Sequence, residues 1–246
     1  MPSNPATGAL YMLRGIGLLT RPGLKRYVIV PLLVNIIVFS VGIWLGAAGF
    51  ERLMERMEAN IPTWLDWLEW LLWPLFVIAL LVIVFYSFTL VANLIAAPFN
   101  GLLAEQAERV ATGRSPATDT DWGRMLRELP GTLWDEVRKI LYAVFWSLPF
   151  LIIALLVPLL GPLLWFLFSA WLLTLQYVDY PMGNHGLKFR EMRATLHRRR
   201  LVSLGFGAAA AGLTMIPVVN FVVMPAAVAG ATLMWTRELA AVAERR

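Results

Sequence analysis

The chain has 246 residues, of which 59% are hydrophobic and 15% charged, and its mean hydropathy is +0.67. Soluble domains carry about 25% charged residues, so this composition excludes a soluble domain and predicts an integral membrane protein. The lack of cysteine excludes disulfides, thiolate metal ligands and thiol nucleophiles. The net charge of +5 does not indicate nucleic-acid binding, because the basic residues flank apolar segments and form no continuous patch.

Two uncharged segments are long enough to cross a bilayer as single helices. The first covers residues 27–50, about 36 Å as a helix, and the second covers 71–97. Thr20 is a possible N-cap of the first span, with Pro22 near its first helical position. Residues 10–19 are too short and too polar to cross, and are expected at the interface. The amphipathic segment 51–69 and tryptophans at every third position predict a helix lying flat at headgroup level; they are Trp64, Trp67, Trp70 and Trp73.

Two longer uncharged segments contain proline breaks. Residues 140–178 would form a helix of about 58 Å, roughly twice the hydrocarbon thickness, and Pro158 and Pro162 break the middle. The segment must fold back as a hairpin, whose short arms either span tightly or only dip into the bilayer. Residues 201–236 repeat this plan with breaks at Pro217 and Pro225. In membrane transport proteins, paired interrupted segments point to a binding site and pathway. The fold class is therefore an all-α integral membrane protein in one domain over 1–246.

The remaining segments are hydrophilic. Residues 98–139 predict two cytoplasmic helices joined by a turn-rich loop at 112–116. Residues 180–186 form a turn cluster, and a basic helix then runs through 198–200 into the second hairpin. If both hairpins return to their own side, 19 of the 21 Lys and Arg residues lie on one face. The positive-inside rule then places both termini in the cytoplasm.

Catalytic signals are weak. The sequence has no Walker A, dinucleotide-binding or zinc-protease motif and only two histidines, so we expect no enzyme, no cofactor and no metal. Asp179 and Glu191 lie at the foot of an apolar hairpin, where solvated carboxylates are more common than catalytic ones. Ser169 and Thr174 are most simply explained as helix-packing residues.

The start of the first span has the features of an oxyanion site. Gly23 allows an anion to approach the backbone, the helix N-terminus presents N–H groups, and Lys25 and Arg26 add positive charge. The alternative is that these two cations are ordinary positive-inside anchors, and spacing alone favours that alternative.

Three separated motifs resemble the CysZ family of bacterial sulfate permeases. They are GLLTRPGLKR with VPLLVN at 17–35, LIAAPFNGLLAE at 94–105, and YVDYPMGNHGLKFR at 177–190. The resemblance covers nearly the whole chain and implies two spanning helices, two half-inserted hairpins and a homo-oligomer in the bacterial inner membrane. It also implies sulfate binding at Gly23, Leu24, Lys25 and Arg26. Lys25 replaces the family's arginine, so it lacks the bidentate fork that Arg26 retains.

Polar residues near the cytoplasmic ends of the two spans are candidates for the ion pathway, because polar side chains at membrane depth tend to face the bundle interior. They are Asn35, Asn93, Asn100, Glu105 and Arg109. Glu105 and Arg109 are four apart, so a plain surface salt bridge is the alternative for this pair.

Two functions follow from these observations. The favoured one, which rests mainly on the resemblance, is a sulfate permease or channel for sulfur assimilation and cysteine synthesis, without ATP hydrolysis. The other is a membrane scaffold whose basic residues bind anionic lipids and which transports nothing.

Overall fold

The computed structural model describes residues 4–58, 74–75, 77–78, 81–82, 86, 99–113, 122–158 and 160–244. The chain divides into two compact units, one of Met1–Lys25 with Asn100–Arg246 and one of Arg26–Phe99. All regular structure in the described residues is helical, which confirms the predicted all-α class. Among the residues that the structure describes, three helical stretches are long and apolar enough to cross a membrane: Arg26–Gly46, Val137–Leu156 and Gly161–Asn184.

The smaller unit contains the first predicted span. Helix α2 runs without a break over Arg26–Glu58, so the first residues of the segment predicted to lie flat continue the spanning helix. Pro31 lies inside α2, where its missing N–H removes one helical hydrogen bond. Most residues of Arg26–Gly46 are exposed and Pro31 alone is buried, as expected for a helix that faces lipid or other subunits. The second predicted span, 71–97, falls almost entirely outside the described residues, as does most of 51–69.

The larger unit is built on helices α1 and α3 to α9. They are α1 (Pro5–Leu19), α3 (helical residues 99–112), α4 (Trp122–Leu156), α5 (Gly161–Asn184), α6 (Phe189–Arg198), α7 (Arg200–Thr214), α8 (Pro217–Met234), a π-helix (Trp235–Leu239) and α9 (Ala240–Ala243). Its core is formed by α1, α7 and α8, with α5 packed against α7.

Helix α1 contacts its neighbours backbone to backbone. A Cβ on Gly8 would overlap the carbonyl oxygen of Val202 in α7, and one on Gly15 would overlap that of Ala226 in α8. The buried residues of α1 recur at helical spacing: Gly8, Tyr11, Met12, Gly15 and Leu18. One face of α1 is therefore buried in the core, whereas residues 10–19 were expected at the membrane interface. The mismatch arises because glycine contributes close approach and little hydrophobicity.

The first hairpin has the predicted break. Helix α4 ends at Leu156, and α5 begins at Gly161, which packs against Ala154 of α4 so closely that a Cβ would overlap it. Thr174 in α5 donates a hydrogen bond of 2.7 Å to the carbonyl oxygen of Ser203 in α7, so the predicted packing role of Thr174 is confirmed. Helix α3 ends at 112 and is followed by Gly113 at φ +74°, as predicted for the start of the 112–116 loop.

Two prolines predicted to disrupt helices do not. The second hairpin breaks at Pro217, the first residue of α8, but Pro225 lies within that helix. Similarly, α5 continues through Pro181 to Asn184, so the predicted turn cluster at 180–186 is mostly helical and the turn begins at His185. A proline inside an apolar helix is tolerated when neighbouring helices and local adjustments satisfy the carbonyl that loses its donor.

Two predicted boundaries are wrong. The basic helix does not continue into the second hairpin, because α6 ends at Arg198 and its C-cap Arg199 has non-helical φ and ψ of −120° and 38°. At this break, the Ser203 hydroxyl donates to the carbonyl oxygens of Leu196 (3.3 Å) and Arg199 (3.1 Å). Thr20 is the C-cap of α1 and not the N-cap of the first span, which begins at Arg26.

Candidate functional site

The predicted anion loop, residues 20–25, joins α1 to the start of α2. The Arg21 N–H donates to the Leu18 carbonyl oxygen at 3.1 Å, and the Leu24 N–H donates to the Arg21 carbonyl oxygen at 3.3 Å. Gly23 has φ +92°, a left-handed conformation that side chains strongly disfavour. This glycine lies between the C-cap of α1 at Thr20 and the start of α2 at Arg26, and the first N–H groups of α2 have no intrahelical acceptor.

Gly23 and Leu24 differ in what they can offer a ligand. Leu24 is fully buried, and its N–H already has an acceptor within the loop, so its side chain anchors the loop. Gly23 is exposed, and a Cβ built on it would lie 3.4 Å from Nε2 of Gln106 in α3. The Gln106 amide therefore borders the loop and adds a hydrogen-bond donor that the sequence did not single out.

Lys25 and Arg26 are both exposed. The Arg26 guanidinium donates to the Tyr27 hydroxyl at 2.9 Å and lies 4.8 Å from the centre of that ring. Within the described part of the chain, no carboxylate pairs with either cation. Both positive charges are thus available to an anion, and the tyrosine orients one of them.

A cavity of about 520 Å³ lies beside α1 and the loop that follows it, and three arginines line it. Arg14 comes from α1, Arg21 from the loop and Arg237 from the π-helix. We call this the three-arginine cavity. None of the three makes an ion pair with a carboxylate among the described residues. Three uncompensated guanidinium groups around one cavity are suited to a divalent oxyanion, because each offers a fork of N–H donors.

Sequence reasoning missed this cavity. Arg14 was visible only as a polar interruption of an apolar stretch, and Arg237 lies more than 200 positions further along the chain. The π-helix Trp235–Leu239 positions Arg237, and π-helical turns recur at functional sites, but no sequence pattern announces this one.

The structure places three of the pathway candidates on α3. Asn100 is nearly buried, with Nδ2 3.5 Å from the Tyr180 hydroxyl, while Glu105 is half-buried and Arg109 exposed. Asn35 lies in α2, where its Oδ1 is enclosed and has no hydrogen-bond partner among the described residues. Asn93 lies outside the described residues. The structure therefore places Asn100, Glu105 and Arg109 on one helix of the larger unit.

A partly buried ionisable pair, also absent from the sequence-based candidates, connects α3 to the turn after α5. Both carboxylate oxygens of Glu108 lie 2.9 to 3.0 Å from Nε2 of His185, and Glu108 is only 8% exposed. The His185 ring also contacts Trp235 of the π-helix at 5.2 Å between ring centres. A second contact supports the same junction, because the Asn184 side chain donates to the Gly101 carbonyl oxygen at 3.0 Å.

Glu238, also in the π-helix, is buried and bonded. The Tyr11 hydroxyl of α1 donates to its carboxylate at 3.2 Å, and Arg199 approaches it at 3.9 Å. Burial and the adjacent Glu238 carboxylate raise the pKa of Tyr11, so the phenol stays protonated as a donor at neutral pH. The contact holds the π-helix against α1, on which Arg14 also lies.

The two carboxylates considered for catalysis have structural contacts. Asp179 pairs with Lys139 across the first hairpin at 2.6 Å, and Glu191 accepts the Lys188 N–H at 3.0 Å at the start of α6. No cluster of three metal-ligating side chains occurs within the described residues. The two carboxylates are therefore accounted for by helix pairing and capping.

Taken together, these helices define an all-α integral membrane protein with a basic loop, whose Lys25 and Arg26 pair with no carboxylate among the described residues. The family model for "Sulfate transporter CysZ/Etoposide-induced protein 2.4" matches residues 11–225, and the chain belongs to that family. The chain is 42% identical over 234 residues to "Sulfate transporter CysZ" of Pseudomonas aeruginosa (strain LESB58), covering 94% of this chain and 95% of the relative. It is 40% identical over 240 residues to the protein of the same name from Pseudomonas fluorescens (strain Pf0-1), covering 97% and 96%.

Proposed function

We propose that this protein is a sulfate permease that moves sulfate across the bacterial inner membrane for sulfur assimilation and cysteine synthesis, and that it is not an enzyme. The observation that carries the proposal is the loop of residues 20–25 with Arg26. There a left-handed glycine, a new helix N-terminus and two cations that pair with no described carboxylate lie within the four residues 23–26. The names of relatives that match along nearly the whole chain support sulfate as the ligand.

The loop supplies the recognition that a sulfate dianion needs. Sulfate requires several donors at once, and helix N-termini provide both N–H groups and the positive end of the helix dipole. Lys25 and Arg26 add full charges, and Gln106 borders Gly23 with an amide. The three-arginine cavity extends this positive region within the larger unit, and we propose that it holds sulfate before or after the loop does. We further propose that Asn100, Glu105 and Arg109 on α3 belong to the pathway.

The direct test is radiolabelled sulfate uptake into liposomes that contain only the purified protein. We expect saturable uptake without ATP. Excess unlabelled sulfate should compete with it, and chloride at the same concentration should have no effect. Alanine at Asn100, Glu105 and Arg109 together should lower the rate. A protein that is folded and reconstituted yet gives no uptake above empty liposomes would favour a scaffold that binds anionic lipids and transports nothing.

We also propose that both termini and the region around α3 face the cytoplasm, that the protein contacts membrane lipids and that it works as a homo-oligomer. The distribution of Lys and Arg supports the orientation. Because the chain has no cysteine, single cysteines are clean probes. A membrane-impermeant maleimide should label Ser115→Cys only after the membrane is opened and Asn60→Cys in intact spheroplasts. Labelling in the reverse pattern would overturn the orientation.

A further inference from the structure

A second cavity, remote in the sequence from the anion loop, lies against the first hairpin in the larger unit. It has a volume of about 780 Å³ and is open to the surface on one side. We call it the hairpin groove. Its lining residues come from four helices: Tyr142, Trp146 and Phe150 from α4; Leu164, Leu167, Phe168 and Trp171 from α5; Arg190, Arg193, Ala194 and His197 from α6; Arg200 and Leu204 from α7.

One wall of the hairpin groove is aromatic and aliphatic. Phe150 and Phe168 stack within this wall with ring centres 4.6 Å apart, while Trp146 is 45% exposed. The indole N–H of Trp171 donates to the Tyr142 hydroxyl at 3.1 Å, so the polar atom of Trp171 is satisfied within the wall. From Tyr142 to Phe150 the helix rises about 12 Å, close to the roughly 15 Å depth of one hydrocarbon leaflet. The wall thus has the length and chemistry of a surface for one acyl chain.

The other side of the groove is basic. Arg190, Arg193 and His197 recur at i, i+3 and i+7 on α6, and Arg200 begins the next helix. The cavity lining includes no acidic residue, and no described carboxylate pairs with any of the three arginines. Their positive charge is therefore not neutralised within the described part of the protein.

Aromatic contacts hold two of these basic residues, Arg193 and His197, beside the apolar wall. The Arg193 guanidinium lies 5.3 Å from the centre of the Tyr142 ring, and the His197 and Trp171 rings are perpendicular with their centres 6.2 Å apart. Charged donors consequently adjoin the Tyr142 end of the wall, and the apolar rings continue along α4 through Trp146 to Phe150. This is the order of charge and apolar surface that a phospholipid presents.

From this arrangement we propose that the hairpin groove binds an anionic phospholipid, with its phosphate on Arg190, Arg193 and Arg200 and one acyl chain along Trp146, Phe150 and Phe168. A free sulfate or phosphate would satisfy the arginines but leave the apolar wall uncovered. A neutral-surfaced protein partner would cover the wall but leave the arginines unpaired. Only a ligand with one anionic and one apolar end matches both surfaces.

The test uses the full chain purified in detergent, with bound lipid counted by native mass spectrometry. Dioleoyl phosphatidylglycerol should bind saturably and more tightly than dioleoyl phosphatidylcholine. The double variant Arg190→Gln/Arg193→Gln should lose about tenfold or more in affinity for phosphatidylglycerol, because it removes charge-assisted hydrogen bonds to phosphate. The matched control Lys188→Gln/Arg198→Gln removes the same charge from the same short region outside the groove and should bind like the wild type. Trp146→Ala should weaken both lipids.

Four results would overturn the proposal. Equal binding of the two lipids by the wild type would remove the anionic preference, and equal losses in the two double variants would indicate general charge attraction. Competition by glycerol phosphate at the concentration of the lipid would indicate a site for free oxyanions. Self-association that disappears in Arg190→Gln/Arg193→Gln, without any change in lipid binding, would assign the groove to a second copy of the chain.

Discussion

Helix α1 and the loop that follows it are adjacent in sequence but opposite in physical character. Along α1, Gly8 and Gly15 contact the backbone of α7 and α8, and Met12 between them is completely buried. In the loop, Gly23 and Lys25 are exposed and only Leu24 is fully buried. The difference shows how exposed cations can be held in place, because a helix fixed by backbone contact delivers the loop to one position and Leu24 anchors it. Such preorganisation reduces the entropy lost when an anion binds.

Disruption of the packed face of α1 should have the largest effect on the stability of the protein. In Gly15→Ala the new methyl group would overlap the Ala226 carbonyl oxygen and lie 2.7 Å from the backbone nitrogen of Gly230, so α1 and α8 must separate. Overpacking of this kind costs about 1 to 3 kcal/mol, and contact with backbone places it toward the upper end. We expect a clearly lower thermal unfolding temperature in detergent.

Gly17→Ala is the matched control. Gly17 is in the same helix, but a Cβ there would meet nothing within 4 Å. Alanine is favoured over glycine in a helix by about 1 kcal/mol, so this variant should be as stable as the wild type or slightly more stable. Equal destabilisation by the two alanines would show that close packing of α1 does not stabilise the protein.

The three-arginine cavity lies where α1 and the loop meet. Substitutions there would show whether arginines outside the loop contribute charge to sulfate binding. Arg14→Gln/Arg237→Gln should weaken sulfate binding about tenfold, because at least one charge-assisted contact is lost. Isothermal calorimetry would measure the sulfate affinity of this variant and of the control Lys188→Gln/Arg198→Gln, which removes the same charge elsewhere. Identical affinities in the two double variants would remove the cavity from the sulfate site.

The smallest expected effect is at Lys25 in the loop. Arginine keeps the charge and adds a bidentate fork, so Lys25→Arg should bind sulfate as well as the wild type or a few-fold more tightly. Sulfate titration by calorimetry would detect this. A loss of tenfold or more would mean that the loop needs the compact ammonium group and would contradict the role assigned to charge alone.

Local signals predicted the hairpins because proline and glycine at Pro158, Gly161 and Pro217 coincide with the middle of segments too long to stay straight. The same signals failed at Pro181 and Pro225, because a proline within a helix is tolerated where its surroundings satisfy the freed carbonyl. The break at Arg199 has no glycine or proline and uses hydrogen bonds from Ser203, a local rearrangement that residue type alone does not reveal.

In the candidate site, as in the fold, the sequence predicted only the features that residues close together in the chain form. The loop could be found because Gly23, Lys25 and Arg26 are consecutive or nearly so. The Glu108–His185 pair and the cavity between Arg14 and Arg237 depend on tertiary packing across 77 and more than 200 positions, respectively. Such pairs leave no periodic trace, so only the folded structure brings them together.

The measurement that tests the central claim most directly is calorimetric titration of sulfate into the wild type, Arg26→Ala and Gly23→Val, each checked for wild-type yield and unfolding temperature. Loss of one charge-assisted hydrogen bond costs about 1.5 to 3 kcal/mol, so Arg26→Ala should bind roughly tenfold to a hundredfold more weakly. Gly23→Val should lose more, because valine disfavours φ +92° and shields the backbone. Sulfate binding that is unchanged in both folded variants would place the site elsewhere and leave Lys25 and Arg26 as membrane anchors.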